Sequence, residues 1–462
     1  MIATASDAIA VSDPSTGEEL ARVPIATEAD VEAAVAAAHA AQPAWAATAA
    51  TERATALRRV AAALRAHAGE LAQRNAREAG KLLADARGGV EAAAATVEQY
   101  AELGPLHRGR SLNGDPLAFD AMRYEPRGVV AALVPFNDPV AIAGQGLAAA
   151  LVTGNTVIYK PSERTPTTGA LVADLFAREL PADTIILLQG DARTGRALVA
   201  HADVAAVLHT GAAPTGRSIA QVCARRGAHA VLELGGNDPL IVDGDVDPVW
   251  AAQQAASGAF ANAGQICVAV ERIYVHAQVA DAFVEALVAE AQALRLGPAT
   301  DPDTTLGPLV DERARAGVHG QVAASIAAGA SVRAGGAPAD GPGCFYAATV
   351  LTDVTDDMPV VARETFGPVA PVAVVGSFDE ALARANASEY GLAATALTKS
   401  QHNAARACAE LNAGTIKVNA VWGGAPGGAA HPRGISGSAL GYGPELLDEL
   451  TQVKAVHIEP AP

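Results

Sequence analysis

Between Val129 and Leu234 five short, almost uninterrupted apolar runs are separated by four helix-length segments. The runs are Val129–Val134, Thr156–Lys160, Thr184–Leu188, Ala205–His209 and Ala230–Leu234. Strands with so little polar alternation are covered on both faces, so this stretch predicts a parallel sheet flanked by helices, an α/β fold. Gly154-Asn155 punctuates one passage from helix into strand. Ligands of such sheets bind beyond the carboxyl ends of the strands, and a nucleotide is the default expectation there. A second βα series follows, including Pro239–Val242, Arg272–Val275, Val369–Val374 and Thr415–Val418.

The first hundred residues read as helices. Thr27-Glu28-Ala29-Asp30 has the spacing of a capping box and opens an Ala-rich helix running toward Trp45. A second helix begins near Thr51 and sets Leu57, Val60, Leu64 and Leu71 near one face. Ser111 to Arg127 reads as an extended excursion between this helical region and the sheet. At 462 residues, two or three domains are the prior.

The formal charge of −17, from 33 basic against 50 acidic residues, argues against nucleic acid and anionic membranes as partners. Cys223, Cys267, Cys344 and Cys408 form no CxxC pair, so no zinc ribbon, dithiol or other metal site is expected. So few cysteines suit a reducing compartment. Met1 to Asp13 has neither a basic start nor a long apolar run, and no apolar stretch of about 20 residues occurs anywhere. A cytoplasmic protein without signal peptide or membrane span is the expectation.

Glu233-Leu234-Gly235-Gly236 is followed by Gly264-Gln265-Ile266-Cys267. A thiol nucleophile and a carboxylate base are the two groups needed to form a covalent acyl-enzyme and then hydrolyse it. Taken singly, each has a plainer reading: a cysteine as a small buried hydrophobe, a strand-end glutamate in solvent. Upstream stands Pro135-Phe136-Asn137-Asp138-Pro139, whose Asn137 alone would suit a turn before proline. Downstream stands Glu364-Thr365-Phe366-Gly367-Pro368. This set, in this order, resembles the aldehyde dehydrogenase superfamily, NAD(P)-dependent enzymes that oxidise aldehydes to acids. The resemblance runs from about Val11 to Val456.

The resemblance implies an aldehyde dehydrogenase-like fold. Its Rossmann-like cofactor domain would comprise 1–110 and 129–232, and its α/β catalytic domain 233–425. A small β oligomerisation element would comprise 111–128 and 426–462, giving a homodimer or homotetramer. It implies Cys267 as nucleophile, Asn137 with the Cys267 backbone N–H as oxyanion partners, and Glu233 as the base that activates water. Lys160 and Glu163 would bind the adenosine ribose, and a carboxylate near the 2′-hydroxyl prefers NAD over NADP while admitting both. Pro135, Phe136, Gly211, Thr215 and Leu234 would line the cofactor, with Glu364 and Phe366 at the nicotinamide ribose and ring. Asn419 is read as structural support.

The chain departs from the family's pattern in several places. His209 and Ala212 replace a Phe and a phosphate-contacting Ser, and Ala192 stands where Gly is frequent, which would weaken cofactor binding. Arg433 replaces a Phe lining the substrate funnel and could anchor an anionic semialdehyde, whereas Asp138 would bring negative charge to the same mouth. An acidic residue used by some members in proton relay falls near Pro444, beside Glu445. Two alternatives are a catalytically lapsed scaffold, suggested by His209 and Ala212, and a cofactor-free cysteine hydrolase, for which no Cys–His pair is identifiable.

Overall fold

The computed structural model describes residues 8–424 and 428–461. The expected boundary between 425 and 426 lies outside the described residues, as do the first seven residues of the N-terminal stretch. A six-stranded sheet has the order Gly437–Ser438, His229–Leu234, Val204–Gly211, Val129–Leu133, Thr156–Lys160, Ile185–Leu187. Its five longer strands run parallel, and Gly437–Ser438 pairs antiparallel with Leu232 and Glu233. The chain builds outward from Val129–Leu133 to Ile185–Leu187, then returns to add Val204–Gly211 on the other side of Val129–Leu133. Strand order therefore reverses between Leu133 and His209, which are register partners. A crevice at the carboxyl ends of the strands follows from that reversal.

Both faces of this sheet are apolar, as the uninterrupted runs require. Val130, Ala132, Val157, Leu208 and Val231 pack with Leu57, Leu64, Val97 and Leu147 on one side. Ala131, Ile158, Val207 and Leu232 pack with Val35, Leu198 and Ile219 on the other.

The N-terminal region covers this sheet. Thr27 Oγ1 accepts the Asp30 N–H at 3.2 Å and the Asp30 carboxylate accepts the Thr27 N–H at 2.8 Å, so the capping box opens helix Glu28–Ala47. Trp45 Nε1 donates to the Leu151 carbonyl at 3.0 Å and ties that helix to Pro139–Val152. The single helix expected from Thr51 is two. Ala50–Ala66 carries Leu57, Val60 and Leu64, while Leu71 belongs to Ala68–Ala79 after a break at His67. All four remain buried, because the second helix restarts with its apolar face still inward. The all-helical reading of the first hundred residues also missed a hairpin, Ala8–Ser12 with Glu19–Pro24, whose Asp13-Pro14-Ser15-Thr16-Gly17 turn is closed by Ser15 N–H on Asp13 Oδ1 at 2.8 Å.

A seven-stranded sheet has the order Ser331–Ala334, Thr349–Thr352, Val369–Val375, Val270–His276, Asp238–Val242, Ala393–Leu397, Thr415–Val418. The expected extended excursion forms Arg110–Leu112 and Phe119–Pro126, and Thr451–Ile458 pairs antiparallel along the whole of the latter. No helix among the described residues is long and apolar enough to cross a membrane.

Candidate active site

Three segments converge where the two large sheets meet. Asn137 follows strand Val129–Leu133, Glu233 stands near the end of His229–Leu234, and Cys267 lies in the turn before Val270–His276. Gly236 touches the cysteine segment directly: a Cβ there would fall 2.3 Å from the Cys267 carbonyl oxygen, a contact only glycine allows. On the other side, Asn262 Nδ2 donates both to the Asn137 carbonyl at 3.3 Å and to the Gln265 carbonyl at 3.2 Å. One amide thus joins the loop carrying Asn137 to the turn carrying Cys267. Asn262 and Ala263, just before the cysteine, hold φ of 50° and 54°, and Phe366 holds 51°, a group of left-handed residues around one site.

The electrostatics are those of a buried acidic site. Burial pushes the Glu233 carboxyl up to about 7, opposed by the Gly441 N–H donated to its Oε1 at 3.0 Å. A carboxylate so poised is half ionised near neutrality and suits a general base. Cys267 keeps part of its surface open, yet burial pushes its thiol up to about 12, with Asp238, Glu233 and Glu364 adding to the rise. Burial also raises Asp238 to about 8 and Glu364 to about 7. Burial lowers the proton affinity of Lys417, against the pull of Asp238 and Cys267; its Nζ donates to the Val421 carbonyl at 2.8 Å.

The downstream Glu-Thr-Phe-Gly-Pro segment is fixed against the same site. Glu364 Oε1 accepts the Gly236 N–H at 3.2 Å. Buried Glu271 accepts the N–H groups of Thr365 and Phe366 at 2.8 Å each, which sets the strained Phe366. Phe366 meets Phe136 edge to face with ring centroids 6.0 Å apart, and the Arg164 guanidinium lies 4.8 Å from the Phe136 ring centroid.

Along the crevice, register partners on three adjacent strands form a row: Lys160 and Leu133, which end their strands, and His209, two residues before the end of its own. Lys160 Nζ donates to the Pro161 carbonyl at 3.0 Å and stands 3.9 Å from Glu163 Oε2. Burial lowers its affinity for a proton, against the pull of Glu163 and Asp191. Both ring nitrogens of His209 are buried and complete no hydrogen bond of normal geometry, although the Leu133 backbone lies close enough to favour the protonated ring. Gly211, next on the same strand, leaves room for that ring: a Cβ would meet its Cε1 and Nε2 at 2.8 Å. Helix Ala213–Arg226 begins immediately after, with Thr215 exposed in its first turn and Leu234 packed on Gly216. An orphaned imidazole, a helix N-terminus and a Lys–Glu pair along one sheet edge fit a dinucleotide.

Asp138 and Arg433 do not meet each other in the contacts they make. Asp138 Oδ2 pairs with Lys81 Nζ at 3.0 Å, while exposed Arg433 donates from Nη1 to Asn412 Oδ1 at 3.0 Å. Asn419 is spent on the backbone of Thr398, accepting its N–H and donating to its carbonyl at 2.9 Å each. The sequence reasoning missed Asn262, Glu271, Asp238, Lys417, Lys81 and Gly441. Only Asp238, directly after the Gly235-Gly236-Asn237 run, carried a local signal, as an acid opening an apolar strand.

The aldehyde dehydrogenase family model matches residues 1–456. Among solved structures, a 3,6-anhydro-L-galactose dehydrogenase in complex with NADP is 35% identical, with a TM-score of 0.95, covering 99% of this chain and 97% of that one. The NAD⁺ complex of an aldehyde dehydrogenase from Bacillus cereus is 34% identical at a TM-score of 0.95, covering 98% and 93%. A lactaldehyde dehydrogenase is 32% identical, also at 0.95, covering 98% and 96%. With its fold, its paired sheets and nearly its whole length matched, this chain belongs to the aldehyde dehydrogenase family and is an NAD(P)-dependent oxidoreductase acting on aldehydes.

Proposed function

We propose that this enzyme oxidises a small aldehyde to its carboxylic acid through a thioester on Cys267. The Cys267 thiol gives up its proton to water, its sulfur adds to the carbonyl carbon, and the resulting oxyanion takes hydrogen bonds from the Asn137 amide and the Cys267 backbone N–H. When bound, NAD(P)⁺ supplies the hydride acceptor that turns the thiohemiacetal into a thioester. Glu233 then removes a proton from water, which attacks the thioester carbon and releases the acid and the thiol. The observation that carries this reading is the Asn262 amide, which joins the Asn137 and Gln265 backbones beside Cys267.

For the aldehyde, we favour a neutral, hydroxylated one. The acid next to Asn137 is already paired with Lys81, and Cys267 lies among three carboxyl groups, each of which opposes a further negative charge once it ionises. Two of the similar structures bear names of hydroxylated aldehydes, 3,6-anhydro-L-galactose and lactaldehyde. An anionic semialdehyde is the second reading, favoured by Arg433, whose hydrogen-bond partner Asn412 carries no charge. Residues 111–128 and the C-terminal strand, with Leu117, Phe119 and Ile458 exposed at 80%, 46% and 55%, would form the subunit contacts of a homodimer or homotetramer. The test is NAD(P)H formation with lactaldehyde, a sugar aldehyde, an anionic ω-semialdehyde and an aliphatic aldehyde, with Cys267→Ala alongside. Turnover surviving in that variant would sink the thioester route, and a clear preference for the ω-semialdehyde would transfer the substrate assignment to Arg433.

A further inference from the structure

His209 is a polar side chain that the proposed catalytic steps do not use. Its ring nitrogens are buried near the Leu133 backbone and complete no hydrogen bond of normal geometry, while the residue as a whole stays partly exposed. An unmatched imidazole at such a position costs stability unless something completes it. Rotation about the last side-chain torsion of a histidine is soft, so a nitrogen can be brought to the open side of the ring.

What faces it is decided by the sheet. Leu133 is register partner to both Lys160 and His209, so these three residues share one face at the strand ends, with His209 one strand from Leu133 on the far side from Lys160. Gly211 follows two residues on, and the helix Ala213–Arg226 starts beyond it. His209 therefore stands between the Lys160–Glu163 pair and the helix N-terminus, at the place where strand order reverses.

That N-terminus is poor in donors. The N-cap Ala212 has no side-chain oxygen, Pro214 has no N–H, and the N–H groups of Thr215 and Gly216 already go to the Ala212 carbonyl at 3.0 and 3.1 Å. An anionic group arriving there meets the Ala213 N–H and the exposed Thr215 hydroxyl, and little else from the helix itself. We infer that His209 completes this deficit, donating a ring N–H to the diphosphate of the dinucleotide cofactor. The inference rests on the cofactor lying along this edge. Burial and the neighbouring Lys160 charge hold the free imidazole at about 4, so it meets the diphosphate as a neutral donor. His209, which as a sequence feature suggested weakened cofactor binding, is in this fold a gain for it.

Calorimetric titration of ADP-ribose into the wild-type chain, His209→Phe and His209→Gln tests this without any catalysis. A hydrogen bond to a charged group predicts a Kd raised about tenfold or more in His209→Phe, with partial recovery in His209→Gln. In wild-type protein labelled with ¹⁵N-histidine, one imidazole should shift on addition of ADP-ribose, and that resonance should be missing in His209→Phe. Equal affinity of wild type and His209→Phe, or an unmoved imidazole, would overturn the role of His209 alone. A wild-type chain that fails to bind ADP-ribose would overturn the cofactor's placement, and this inference with it.

Discussion

Asn262 holds Asn137 by its backbone: the Asn262 amide donates to the Asn137 carbonyl at 3.3 Å, from a residue whose own φ is 50°. The bond costs a left-handed backbone and returns a fixed distance between the expected oxyanion donor and the cysteine turn. Asn262→Gly relieves the backbone and removes only the side chain. It should lower kcat by about tenfold or more while leaving the KM for NAD⁺ nearly unchanged, because misplacement at a reacting centre is expensive. A wild-type kcat in Asn262→Gly would show that Asn137 is positioned by other means.

Glu233→Gln should separate the two halves of the reaction. The first equivalent of NADH should form in a burst, and steady turnover should then fall by roughly 10²–10⁴-fold as the thioester persists. Stopped-flow absorbance gives the burst and intact-protein mass spectrometry gives the adduct. In the wild-type enzyme, a carboxyl at about 7 predicts that deacylation rises with pH up to neutrality and levels off above it, as the ionised form accumulates.

The thiol of Cys267, raised to about 12 without cofactor, should alkylate slowly. Iodoacetamide reactivity should increase with every pH unit from 7 to 10 and show no plateau, since the thiolate fraction is still growing. Asp238 heads the carboxylates that oppose the thiolate, so Asp238→Asn should speed the reaction at fixed pH. A plateau near pH 7 would mean that a cation such as Lys417 already holds the thiolate in the free enzyme.

Asp238 also predicts a stability slope. Its carboxyl ionises near 3.8 when unfolded and at about 8 when folded, so between those values the unfolded chain has lost a proton that the native chain keeps. Stability from this group is fully present below about pH 4 and is lost as pH rises toward 8, at up to about 1.4 kcal/mol per pH unit. Chemical denaturation from pH 5 to 8 should therefore show a shallower decline in Asp238→Asn than in wild type. Parallel slopes would mean that this acid is ionised in the native protein.

Much of this was written locally in the chain. Five strands of the six-stranded sheet announce themselves as apolar runs, and the segments around Asn137, Glu233, Cys267 and Glu364 were found from short stretches of residues. What local reading missed was set by partners far along the chain. Asp138 looked like free charge until folding paired it with Lys81, 57 positions earlier. Nothing near Glu271 foretells that it accepts the backbone of Thr365 and Phe366, more than ninety positions on. The break at His67 falls two positions before Gly69, a lone glycine that is a weak mark inside a helical pattern, and the leading hairpin was masked by the Ala-rich helices that follow.

The pairing of Gly437–Ser438 with Leu232 and Glu233 has a mechanical meaning. Without it, His229–Leu234 would be a bare outer strand offering its backbone to any passing chain. The segment that covers this edge goes on to place Gly441 on the Glu233 carboxylate and then becomes the strand laid along Phe119–Pro126. Protection against misassociation and the tuning of the Glu233 carboxyl, the proposed base, are thus strung on one ribbon, and a lesion that lifts it should spoil solubility and turnover together.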